Sequence, residues 1–227
     1  MPSRHGVERF FPAGSPGNPS QHNLDKRDKR GIRMKPSSTA LGRRWRRVSQ
    51  AHLDLNNMLR LLWEQHVWWT RSFIISVAFN LPDLSVVTAR LLRNPKDFQA
   101  ALEPLYGPEI AAEFARLLTE HLTIAAELVQ AAKAGDTARA ADAERRWYRN
   151  ADEIACFLAR INPFWSQEEW RAMLHEHLAM TKDEAVAVLS GRFEQSIQIF
   201  DQVELQALEM ADVMTEGIVR QFPRRFR

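Results

Sequence analysis

The sequence predicts an all-α protein, on three observations. From about residue 48 onward apolar residues recur at alternating three- and four-residue steps, the spacing that builds one face of a helix. Proline, glycine and Ser/Asp capping residues punctuate that pattern at intervals of about one helix length. No segment shows a sustained alternation of β-branched residues, the mark of a strand. About four longer helices joined by short connecting helices fit an antiparallel helical bundle.

The elements follow in order. Leu55, Leu59, Leu62, His66, Trp69 and Phe73 form one stripe of a helix over 48–80. Leu81-Pro82 ends it, because proline disfavours helix at the residue before it. Asp83 starts a short helix to 93, and Asn94-Pro95 reads as a cap followed by proline at the first helical position. Gly107-Pro108 separates that helix from 108–134, whose stripe is Ile110, Phe114, Leu117, His121, Ala125 and Leu128. Gly135-Asp136 closes one helix and caps the next, which carries Trp147, Ala151, Ile154 and Leu158 to 161. Ser166 with Glu169 forms a capping box, and Thr181 with Glu184 looks like a second, predicting a break near 180. Beyond Gly191 a last long helix turns Phe193, Phe200, Val203, Ala207, Met210 and Met214 inward.

The charge is unevenly placed. Residues 1–50 hold 12 Lys/Arg against 3 Asp/Glu, whereas the remaining 177 hold 19 against 25. The first fifty also carry 5 of the 9 glycines and 5 of the 11 prolines, a composition that cannot bury enough apolar surface to order itself. Residues 1–45 are therefore predicted to be a disordered basic arm, and 46–227 a helical-bundle domain. The clusters Lys26–Arg30 and Arg43–Arg47 have the charge to contact nucleic acid or an anionic membrane surface, although a solvated tail explains them as well. No apolar segment follows the basic residues, so the expected location is cytoplasmic, and no run reaches the roughly 20 apolar residues of a membrane span.

Chemistry points to the histidines. His66, His121 and His177 fall on the apolar stripes of three different helices, each with an acid shortly before it, an aliphatic residue after it and a small residue four positions on. His175 lies on another face. A histidine entering a core needs a partner, since an unpaired buried polar group costs roughly 1–3 kcal/mol. Two solutions satisfy that need. The three rings converge on one transition metal ion (zinc, iron, copper or nickel), with Glu184 or Glu144 as a further ligand. Alternatively each ring bonds separately to a carbonyl, Asn150, Thr70 or Thr181.

Other chemistries lack their residues. There is no Gly-x-Gly-x-x-Gly and no Gly-x-x-x-x-Gly-Lys, so no nucleotide cofactor is expected. No Gly-x-Ser-x-Gly occurs either. The single cysteine, Cys156, sits among Ile154, Ala155, Phe157 and Leu158 and reads as a buried packing thiol. Seven tryptophans are many for 227 residues, and Trp63, Trp68 and Trp69 cover more than one face of the first helix. That helix is therefore central, or contacts a second subunit as a homo-oligomer or interaction module.

The run Trp63-Glu-Gln-His-Val-Trp-Trp-Thr-Arg-Ser-Phe-Ile-Ile-Ser76 carries a resemblance. With Ala89–Asn94, Ala131–Gly135, Trp147-Tyr-x-Asn150-Ala-Asp-Glu-Ile154 and Gly217-Ile-Val-x-Gln-Phe-Pro223, it resembles an uncharacterised bacterial family of small helical proteins. Some members carry transferase or acetylglutamate-kinase labels, and some begin with a secretion signal where this chain has a basic arm. The resemblance implies a helical fold over about 55–223. The glycine-rich phosphate loops that an acetylglutamate kinase needs are not in this sequence.

Overall fold

The computed structural model describes residues 48–227, so the basic arm lies outside the described residues. Those residues form seven α-helices and no strand. They are α1 (Gln50–Phe79), α2 (Leu84–Leu91), α3 (Asn94–Tyr106), α4 (Pro108–Ala134), α5 (Thr137–Ile161), α6 (Gln167–Leu189) and α7 (Phe193–Gln221). The protein is all-α. Five of these helices exceed twenty residues, one more than the sequence suggests, because α6 runs through Thr181 without a break.

Most helix ends obey their local chemistry. Ser49 accepts from the His52 amide at 3.2 Å, Asp136 from Arg139 at 3.0 Å and Ser166 from Glu169 at 3.3 Å. Gly135 closes α4 at φ +73°, where a side chain would be strained, and Asn80 closes α1 at φ +51°. At Thr181 the expected cap fails for a tertiary reason. Glu184 turns away to pair with Arg71 of α1, and the chain keeps its helical bonds.

The helices are arranged as three pairs in a closed cycle. α2 and α3 pack on α1, and α3 also packs on α4. Likewise α5 packs on α4 and α6, and α7 on α6 and α1. The helices carrying His66, His121 and His177 (α1, α4 and α6) are thus bridged, α1 to α4 by α3, α4 to α6 by α5 and α6 to α1 by α7. Equivalent positions are buried in every pair: Leu59, Phe114 and Trp170 on the first helices, and Phe98, Ile154 and Met210 on the second. Each such side chain contributes roughly 1.5–3 kcal/mol of burial free energy, so the core strongly fixes the helix register.

Two expectations of burial are corrected. Cys156 is exposed: one residue along a helix is a 100° turn, so flanking Ala155 and Phe157 face the core while the thiol does not. Phe193 is 51% exposed at the start of α7, against the Phe79 ring. Gly217 is required by packing, because a Cβ there would lie 1.9 Å from Nε1 of Trp165.

Candidate functional site

The three stripe histidines meet. His66, His121 and His177 are each at most 3% exposed. The His66 ring centroid lies 6.1 Å from that of His121 and 5.8 Å from that of His177. The sequence places each ring on a buried face, and the cyclic order of the pairs brings the three faces together.

Each ring is held by a side-chain amide from the bridging helix, α3, α5 or α7. Nδ1 of His66 lies 3.3 Å from Oδ1 of Asn94, Nδ1 of His121 is 3.0 Å from Oδ1 of Asn150, and Nδ1 of His177 is 3.2 Å from Oε1 of Gln206. The amide nitrogens are also engaged. They donate to the carbonyls of Leu62, Leu117 and Met173 at 2.9, 3.1 and 3.1 Å, in every case the residue four before the histidine. Because the NH2 group is bound to a carbonyl, the amide oxygen must face the ring. It can only accept, so Nδ1 carries the proton and Nε2 keeps its lone pair. The clamp is built three times with one geometry.

This pattern has a signal in the sequence. Asn94, Asn150 and Gln206 stand 56 residues apart in succession, and the histidines 55 and 56 apart. Asn150 is the one of the three that the sequence itself offers as a partner for an imidazole. Asn94 reads as a helix cap, but it is completely buried in the first turn of α3, and Gln206 has no sequence feature that marks it apart from this spacing.

The rings differ at Nε2. The hydrogen bonds of His66 and His177 run through Nδ1, whereas Nε2 of His121 accepts from Nε1 of Trp147 at 3.2 Å. Burial dominates the titration. It pushes His121 down to about 3 and His177 to about 4, and holds His66 well below the usual imidazole range, with charge on its two neighbours adding to the effect. All three rings are therefore neutral at pH 7.

The two carboxylates named as further ligands are engaged elsewhere. Glu184 is 1% exposed and bonds Arg71 at 2.5 Å, while burial raises its carboxyl to about 7 against the pull of the guanidinium. Glu144 bonds Lys182 at 2.6 Å nearer the surface. His175 lies apart, its Nε2 2.8 Å from Asp152.

Beside the triad lies a cavity of about 310 Å³. Thr70, Ala125 and Thr181, each one turn beyond a triad histidine, all line it, so α1, α4 and α6 leave the triad in the same sense to form its walls. Trp147 lines it too and thereby stands between the cavity and His121.

No protein-family model, curated protein or solved structure matches this chain. Among the described residues no group of three or more His, Cys, Asp or Glu forms a ready metal-binding arrangement, and no helix is long and apolar enough to cross a membrane. Two ring separations bear on the first point. Nitrogen ligands at 2.0–2.1 Å from a tetrahedral ion would set ring centroids roughly 5 Å apart, and the observed 5.8 and 6.1 Å are wider. The Trp147 bond occupies one of the three nitrogens as well.

Proposed function

We propose that this protein binds one transition metal ion through Nε2 of His66, His121 and His177. The observation that carries the reading is the threefold amide clamp. A metal-binding histidine characteristically donates its other ring N–H to an oxygen acceptor, which fixes the tautomer and aims the ring. Here three helices supply such a ring, all neutral and all in the tautomer a metal needs. Each ring moves inward by a few tenths of an ångström to close on the ion, and the Trp147 indole releases His121. Three imidazoles leave a fourth position for water or a ligand, a donor set suited to zinc, iron, copper or nickel. Glu184 and Glu144 stay with Arg71 and Lys182 and are not needed as ligands.

The test uses tag-free protein dialysed against chelator and then offered zinc. About one equivalent is retained, and a His66→Ala/His177→Ala double variant retains less than a tenth. Equal retention by both proteins would place the metal elsewhere.

A second reading rests on a different observation. Trp68 is 52% exposed on α1 and packs on Phe200 of α7, with Leu61 of α1 and Leu205 of α7 exposed to a similar degree. That surface suits self-association or a protein partner with no small ligand. Sedimentation of Trp68→Ala tests it: a self-associating wild type becomes monomeric in the variant, with metal retention unchanged.

A further inference from the structure

We infer that the cavity beside the triad is a binding site for an uncharged, largely apolar small molecule carrying one hydroxyl or carbonyl group. This goes beyond the metal reading and stands without it. The wall is made by Phe73, Ile74, Leu91, Leu122, Leu128 and Val129, which exclude a charged body. Its volume of about 310 Å³ matches the smaller end of ligand pockets. Taking about 30 Å³ per water-sized group, it holds a molecule of about ten heavy atoms.

Two polar features mark the lining. Thr181 lines the cavity and is 5% exposed, yet its Oγ1 has no hydrogen-bond partner among the described residues. A buried hydroxyl without a partner is unfavourable, and one staggered step of χ1 brings it to the position its methyl holds. A hydroxyl or carbonyl on the ligand supplies the missing bond one turn from His177. Glu144 and Lys182, also lining residues, neutralise one another at 2.6 Å and offer no net charge to an ionic headgroup. Exposed Ala132, Thr137, Ala141 and Val186 leave the entrance open between α4, α5 and α6.

The experiment is calorimetric titration of the full chain, after chelator treatment, with 1-octanol, octane and octanoate. The alcohol binds at one site, and octanoate binds at least tenfold more weakly. Ala185→Phe, which fills the cavity, lowers octanol affinity more than tenfold; Ala126→Leu, at a half-exposed wall position, lowers it at least threefold if the larger change prevents folding. Thr181→Val weakens octanol at least threefold and leaves octane unchanged. Equal octanol binding by wild type and the filled variants would overturn the site, and tighter octanoate than octanol binding would overturn its uncharged class. Repeating the titration after zinc loading keeps this result separate from the metal: octanol binding by metal-free protein supports the cavity whether or not zinc is retained.

Discussion

Trp147 donates its indole N–H to Nε2 of His121 at 3.2 Å while the same ring lines the neighbouring cavity. That bond occupies a triad nitrogen that a metal would need, and it connects the triad with the cavity. The Trp147 side chain is thus shared by the triad and the cavity.

Replacing that indole separates its two roles. Trp147→Phe keeps a ring in the core and removes the donor. A net hydrogen bond is worth about 0.5–1.5 kcal/mol, so zinc affinity should rise roughly two- to tenfold once His121 no longer exchanges one partner for another. Competition titration with a chromophoric chelator measures it. Unchanged or weaker affinity would mean that His121 is not a ligand.

The amide clamps make a second prediction. Asn150→Ala leaves the Nδ1–H of His121 buried without an acceptor and opens a small void, which together cost roughly 2–4 kcal/mol of stability. Zinc affinity falls about 10–100-fold, the usual effect of losing the group that orients a metal-binding imidazole. Exposed Asn57→Ala serves as the control and changes neither. Urea unfolding and metal titration read the two effects; a stability loss with full metal affinity would make the clamp purely structural.

The clamps also mark how far the sequence can be read. Helical periodicity placed His66, His121 and His177 on buried faces, because burial of one face is what a three-and-four spacing encodes. The partners were harder, since Asn94 beside Pro95 satisfies every local rule for a cap, and only its packing beneath α1 shows otherwise. At Thr181 and Glu184 the local rule lost outright to an ion pair with a residue 113 positions away. The apolar sequence neighbours of Cys156 suggest burial, but in a helix they point in other directions and leave the thiol exposed. The convergence of the three rings depends on the cyclic packing order of the helix pairs, which no single segment contains.

The metal-free protein should lose histidine-dependent stability in acid. The unfolded chain takes up protons below about pH 6.5, whereas folded His177 and His121 resist protonation to about 4 and 3. Stability from each neutral ring is complete above about pH 6.5 and is lost as pH falls through that window, by about 1.4 kcal/mol per unit. Burial raises Glu64 and Glu184 to about 7, and their protonation opposes the loss between about 4.5 and 7. The histidine part is therefore read as a difference. The stability gap between wild type and His177→Gln narrows by about 1.4 kcal/mol per unit from pH 6 to 4.5. Urea melts at four pH values measure it, and parallel curves would contradict it.

The most direct measurement is X-ray absorption at the metal edge of zinc-loaded, tag-free protein, repeated on His121→Ala. Three imidazole nitrogens at about 2.0–2.1 Å plus one oxygen are expected in the wild type, and one imidazole fewer or no bound zinc in the variant. A carboxylate-rich shell, or the same spectrum from both proteins, would contradict the triad as the metal site.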